Sequence, residues 1–334
     1  AKNASFEEVA YLLLLGKLPT SSELAEFEDE LMNQRTMPDS LVSVVESIPA
    51  SAHPMEVVRT IISYMGVIEP EKSFDDQLAI AKRLIGVTTT AIVYWYNFSH
   101  NGVKVSQDSG ERSVAGHFLK LLRQEDIPEL DKKTLDVSLT LYAEHEFNAS
   151  TFTAMVTAST LAHPVQVIAS AIGSLSGPLH GGANEKVVSM LDDIGSKNNA
   201  KEWLDKRLDS KQVVWGMGHR EYSTKDPRAK ILTTMVEDYF KERGGEVSSK
   251  FETAMELEKA CEERLSKKGV YANVDFYSGI LYQEIGIPVD LFTPIFAVSR
   301  TSGWLAHWIE QVGNNKIFRP TQNYIGQEPR ELKK

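Results

Sequence analysis

Three short segments each set one acid/base side chain beside glycine or asparagine: Gly177-Pro-Leu-His180-Gly-Gly-Ala-Asn-Glu185, Gly216-Met-Gly-His219-Arg-Glu-Tyr222 and Asn273-Val-Asp275-Phe-Tyr-Ser-Gly279. Two histidines and a carboxylate are the parts needed to move protons. Glycine next to such a residue lets backbone approach a ligand closely and accepts the left-handed conformation of a tight turn. His180 lies between Pro178 and Gly181-Gly182, and Asn184 or a neighbour can open the next helix. The imidazole is therefore expected on a loop beside helix-end donors, although the same pattern fits a turn histidine with no task. Asp275 precedes Phe276-Tyr277, an aromatic setting that would desolvate a carboxylate and raise its proton affinity. A base that takes a proton from carbon near neutral pH needs that. Read alone, Asp275 also fits an ordinary N-cap on a helix over 276–285.

A second set suits an anion. Asp226-Pro-Arg228, Ser299-Arg300 and Phe318-Arg319-Pro320 each carry one arginine near apolar or glycine-bearing sequence, and His145 stands in Tyr142-Ala-Glu-His145-Glu-Phe-Asn148. Arginine forks bind carboxylates bidentately, so three of them converging would fit a small dicarboxylate. Singly, each also fits a surface or ion-pair residue. Arg300 stands out because Trp304 and His307 follow at i+4 and i+7 on one face of a largely apolar helix. Gly216-Met217-Gly218 is a fragment of a nucleotide-binding turn, but the full dinucleotide fingerprint after a strand is absent, which excludes a Rossmann reading. Its backbone could still line the adenine or pantetheine of a coenzyme. No His-x-x-x-His, cysteine pair or acidic-ligand loop appears, so no metal is expected.

The elements that must hold these residues are helices. Thr20-Ser-Ser-Glu23 is a capping box, and His53-Pro54 puts proline where a first helical residue tolerates it. Segments near 73–99, 134–145, 150–176, 184–195, 226–243 and 248–267 have 3.6-residue periodicity or helix-forming composition, without convincing period-two alternation. The predicted fold is all-α. Between Phe147 and Asn184 there is no Asp, Glu, Lys or Arg. A membrane span would need roughly twenty mostly apolar residues in a row, and polar residues, His163-Pro164 and glycines interrupt this one. It reads instead as two helices, about 150–161 and 164–176, buried on most sides, with Ala169, Ser170, Ala171, Gly173 and Ser174 allowing close helix contact. Helices so poor in charge suit a domain centre or a subunit interface. The run from Ile85 to Val103 reads the same way.

The 334 residues can bury a large core. A net charge of −10, with Lys and Arg interleaved among more Glu and Asp, argues against nucleic-acid binding. The single Cys261, with Leu257 and Leu265 at i±4, reads as a buried structural thiol. No secretion signal is evident, so a cytoplasmic location is expected.

In order, Glu144-His145-Glu-Phe-Asn-Ala-Ser-Thr-Phe152, the His180, His219 and Asp275 segments, Asp226-Pro-Arg228, Ser299-Arg300 and Arg319-Pro320 resemble the active-site segments of the citrate synthase family. The resemblance covers most of the chain. It implies that Asp275 takes a proton from the α-carbon of an acyl-CoA, that His180 donates to the enolate oxygen, and that His219 polarises and protonates the carbonyl of oxaloacetate. His145, Arg228, Arg300 and Arg319 would hold oxaloacetate, with Arg319 coming from the partner of a homodimer that shares its active sites. Gly216, Met217, Gly218, Lys225 and Asn273 would contact the coenzyme. Coenzyme A enters as the thioester co-substrate, with no tightly bound cofactor. The implied architecture is a large helical domain, 1–180 and 280–334, and a small one, 181–279. Ser51-Ala-His53-Pro-Met-Glu-Val-Val-Arg59, Tyr94-Trp-Tyr-Asn-Phe-Ser-His-Asn-Gly102 and Gly116-His-Phe-Leu-Lys-Leu-Leu122 look more like 2-methylcitrate synthases, whereas Phe276-Tyr-Ser-Gly279 is similar to ordinary citrate synthases. A rival of another class is a non-catalytic helical scaffold that binds metabolites; the three intact proton-transfer residues disfavour it.

Overall fold

The computed structural model describes residues 3–70 and 76–331. The start of the helix predicted over 73–99 falls at residues 73–75, outside the described residues. In chain order the helices are α1 (Phe6–Leu15), α2 (Ser21–Asn33), α3 (Asp39–Ser47), α4 (Pro54–Ile68), α5 (Gln77–Asn101), α6 (Val114–Arg123), α7 (Glu129–Tyr142) and α8 (Ala149–Ala158). They continue as α9 (Pro164–Leu175), α10 (Ala183–Ile194), α11 (Ala200–Asp209), α12 (Pro227–Glu242), α13 (Ser249–Leu265), α14 (Asp275–Glu284) and α15 (Phe292–Gly313). No strand forms among the described residues; the one extended pairing is an isolated bridge between Met217 and Ala272.

The helix starts follow from local chemistry. Thr20 and Glu23 form the predicted capping box, and His53 caps α4 by accepting from the Met55 N–H, with Pro54 next in the first turn. Asn148 caps α8 and Asp226 caps α12, each accepting a backbone N–H of the first turn. Asp275 is the first residue of α14 rather than its cap.

α15 is the hub, packing against α1, α4, α5, α7, α8, α9 and α10. Trp304, Trp308 and Arg300 on it are fully buried. Gly303 lets it lie against the turn after α7, where any Cβ would collide with the Ala143 carbonyl oxygen. α5 is long and apolar enough to span a membrane, but 78% of that stretch is buried in the protein, as in a core helix. Cys261 is buried in α13 among Leu257 and Leu265, as predicted, and burial pushes its thiol up to about 12.

The charge-free stretch does fold into a helix pair, α8 and α9, but it is not buried on most sides. α9 buries Val165, Val167, Ile168, Ala171, Ile172 and Leu175, whereas α8 leaves Phe152 and Val156 exposed. Nor does Gly173 serve a helix contact, since the space beside it is open. Close approach comes instead at Gly66 of α4, where a Cβ would crowd Val165.

Candidate active site

A cleft of about 520 Å³ opens between the α7–α8 turn, the α9–α10 turn, the loops 218–221 and 273–275, and α15. Its lining includes His145, His180, Gly218, His219, Arg228, Asn273, Asp275 and Arg300. Residues from six separate stretches of sequence, Arg228 at the start of α12 among them, thus meet in one place.

The loop that carries His219 is zipped to the one that carries Asp275. Gly218 N–H donates to the Tyr271 carbonyl (2.7 Å) and Asn273 N–H to the Gly216 carbonyl (2.9 Å), while the Asn273 amide donates to the Gly218 carbonyl (2.9 Å). Gly216 has φ +74°, and a Cβ there would press on Val187 and Phe276, so both backbone and space require glycine. Asn273 also accepts the Asp275 N–H (3.0 Å). Asn273 therefore locks the Asp275 backbone to the His219 loop.

Hydrogen bonds assign the histidine tautomers. Ser150 N–H, at the start of α8, donates to His180 Nε2 (3.3 Å), and the Ser150 hydroxyl lies 2.8 Å from the same nitrogen. An accepting Nε2 leaves the ring proton on Nδ1. The helix-end donor predicted for His180 is real, but it comes from α8, thirty residues earlier, rather than from the helix that follows. Glu221 N–H donates to His219 Nδ1 (3.1 Å), which puts the His219 proton on Nε2. His145 Nε2 lies 3.2 Å from the Tyr222 hydroxyl, and its ring meets that of His219 edge-on at 5.1 Å.

Desolvation holds all three imidazoles neutral at pH 7. Burial, then neighbouring arginine, brings His145 and His180 down to about 4 and lowers His219 as well. Neutral imidazoles can donate without carrying charge into the ground state. Asp275 moves the other way. It is buried, and desolvation raises its carboxyl to about 6 against the opposing hydrogen bond from Tyr142 (2.8 Å). It is still ionised at pH 7 and is more basic than an ordinary aspartate.

The two predicted arginines that line the cleft, Arg228 and Arg300, differ. Arg228 forks onto its neighbour Asp226 through Nε (3.2 Å) and Nη2 (2.8 Å). Arg300 is fully buried, donates through Nε to the Tyr142 carbonyl (2.7 Å) and lies over the Phe296 ring at 4.8 Å. Among the described residues, its buried Nη1 has no hydrogen-bond partner. Burial, then the charge of Arg228, lowers it to about 9, so it stays a cation.

Four predicted residues stand outside the cleft lining. Gly216 and Met217 hold the loop from behind; Lys225 is paired with Glu258 (2.6 Å) and lies over the Tyr277 ring. Arg319 is exposed in the segment after α15, next to Phe318, whose N–H donates to Ser159 at the end of α8. Tyr142, Ser150 and Phe296 belong to the site without having been assigned a role from sequence. Nothing in the sequence around Ser150 points to a histidine thirty positions away.

A buried carboxylate of raised proton affinity, neutral imidazoles and one guanidinium with an unmet donor, gathered in one cleft of a helical protein, suit proton transfer at an anion. Residues 1–321 match the family described as citrate synthase, C-terminal domain, and the chain belongs to the citrate synthase family. It is 45% identical over 330 residues to a citrate synthase of Synechocystis sp., covering 98% of this chain and 82% of that one. It is 44% identical over 337 residues to a 2-methylcitrate synthase of Shewanella oneidensis, covering 99% and 87%. The fold matches a ternary complex of the Thermoplasma acidophilum citrate synthase with carboxymethyl coenzyme A and oxaloacetate, with TM-score 0.92 at 30% identity over 98% of this chain and 87% of that one. It also matches the Thermotoga maritima citrate synthase, with TM-score 0.87 at 36% identity over 99% and 87%.

Proposed function

We propose that this enzyme condenses a short acyl-CoA with oxaloacetate and hydrolyses the product thioester to release free coenzyme A. Propionyl-CoA, giving 2-methylcitrate, is the leading donor; acetyl-CoA, giving citrate, is the alternative. The observation that carries the reading is the buried, unpartnered Nη1 of Arg300 in the wall of the cleft that also holds Asp275 and the neutral histidines. A carboxylate is the group that completes such a donor.

Asp275 takes a proton from the thioester α-carbon, and the Nδ1–H of His180 donates to the thioester oxygen as charge develops there. The enolate carbon attacks the ketone carbon of oxaloacetate, the Nε2–H of His219 protonates the ketone oxygen to a hydroxyl, and the proton taken up by Asp275 returns through solvent to restore the His219 Nε2–H. Water then cleaves the thioester, and the coenzyme leaves as the thiol. His145, Arg228 and Arg300 hold the dicarboxylate, with Arg319 contributed by the partner subunit of a homodimer. The exposed Phe152 and Val156 of charge-free α8, next to the Arg319 segment, support α8 as part of that interface.

The small domain, 181–279, carries His219 and Asp275, and its rotation against 1–180 and 280–334 would assemble the site and exclude water. α14 runs unbroken across residues 279–280, so the pivot belongs after Glu284, at the turn where Gly286 has φ +78°. Thiol release by purified protein, measured side by side with propionyl-CoA and acetyl-CoA plus oxaloacetate, tests the function. Release is expected with both, with the larger kcat/KM for propionyl-CoA; release with neither would leave the scaffold reading, and a larger value for acetyl-CoA would make this a citrate synthase. One methylene is worth only about 1–3 kcal/mol, so a few pocket contacts decide the ratio.

A further inference from the structure

Tyr142 is the last residue of α7 and is completely buried. Its hydroxyl oxygen lies 2.8 Å from Asp275 Oδ1 and 2.9 Å from Ser278 Oγ. Its backbone carbonyl takes the Nε–H of Arg300. Its ring packs at 4.4 Å from Phe296, the same ring that Arg300 covers and that His180 meets edge-on at 6.1 Å. Base, enolate donor and anion clamp thus converge on one side chain and its neighbour.

We propose that Tyr142 is a positioning residue for the Asp275 base: its hydroxyl fixes one carboxylate oxygen so that the other is presented to the cleft. This rests on the assignment of Asp275 as the base. A buried tyrosine hydroxyl needs a partner, but Ser278 already supplies one, so satisfying the phenol does not by itself explain the contact with the carboxylate. Donating to a general base also lowers its basicity, which works against catalysis. Geometry is what offsets that loss, because misplacing a reacting atom by about 1 Å can cost on the order of 100-fold. The same bond helps to keep a buried carboxylate ionised at neutral pH. The other charged or titratable groups around Asp275 are Tyr282 on α14, Asp226 and Arg228 at the start of α12, and Arg300 on α15.

Tyr142→Phe keeps the ring and removes the hydroxyl. The expected result is a fall in kcat on the order of 10- to 100-fold with oxaloacetate KM nearly unchanged. The acid limb of the kcat/KM profile should also move up by about one pH unit, since a charge-assisted donor is lost. Activity should then recover partly as pH rises. A merely structural tyrosine would lower kcat without moving the limb, and that result overturns the proposal, as does an unchanged kcat. Should the variant not fold, replacing Tyr142 alone with 3-fluorotyrosine keeps the shape and strengthens the donor. The limb should then move to lower pH; an unmoved limb overturns the proposal. Failure of wild-type protein to release coenzyme A would instead sink the underlying assignment, so the two failures are separable.

Discussion

Arg228 and Arg300 face the same cleft on different terms. Arg228 is neutralised by Asp226 within its own chain, whereas Arg300 sits deeper, with one donor buried and unmet. A paired arginine stabilises the ligand-free fold; an unpaired buried one costs stability that a bound anion can return. On the proposed reading, the difference separates a cation that holds the site's shape from one that waits for substrate.

Substitution at each position should pull stability and affinity apart. Arg300→Met is expected to raise oxaloacetate KM on the order of 100- to 1,000-fold while leaving ligand-free stability within about 1 kcal/mol of wild type, or above it. Arg228→Met strands the buried Asp226 and is expected to lower stability by about 1–3 kcal/mol. Urea denaturation beside steady-state kinetics reads both; a destabilised Arg300→Met with normal KM would erase the contrast.

Arg319 extends the comparison across the proposed dimer. Arg319→Ala and Arg300→Ala homodimers should each be nearly inactive. After subunit exchange, half the dimers are mixed, and each mixed dimer has one site with both arginines, so about a quarter of wild-type activity should return. No recovery after verified exchange would place Arg319 in its own chain's site or in none.

The histidines and the aspartate give the pH dependence its sign. His145 and His180 protonate only near 4 and His219 is lowered as well, so under the proposed mechanism the acid limb of kcat/KM is assigned to Asp275 and should fall about tenfold per unit below about pH 6. For stability, a carboxyl raised from 3.8 to about 6 by burial favours the folded state only while protonated. That contribution is complete below the unfolded pKa and is lost as pH rises through about 6, which makes the ionised base a liability on the order of 2–3 kcal/mol at neutral pH. Asp275→Asn should therefore melt above wild type at pH 8 but not at pH 4. The smallest expected effect is that of Ser150→Ala, which removes a hydroxyl from His180 Nε2 but leaves the backbone N–H there, and should lower kcat about tenfold or less.

Helices with local signals were legible in the sequence. The capping box at Thr20, the His53-Pro54 start and the stripe through Cys261 all formed where spacing put them. The cleft's histidines, aspartate and two of its arginines were named by their segments. Their tuning was not, because it depends on contacts between distant parts of the chain: Ser150 reaches His180 and Tyr142 reaches Asp275, 133 positions away. Lys225, a coenzyme contact only by the family resemblance, is paired with Glu258, a contact between distant parts of the chain that its local sequence does not announce. The charge-free stretch could not say which face of α8 stays uncovered, since a subunit interface and a core have the same composition.

The central claim is that Asp275 removes a proton from carbon. Exchange of the acyl-CoA α-protons with deuterated solvent, followed by mass spectrometry in the presence of oxaloacetate or a non-reactive analogue of it, isolates that step from condensation. Wild-type enzyme should accelerate exchange, and Asp275→Asn should reduce it to the solvent rate while binding oxaloacetate with nearly unchanged affinity. Exchange at the wild-type rate in Asp275→Asn would contradict the account.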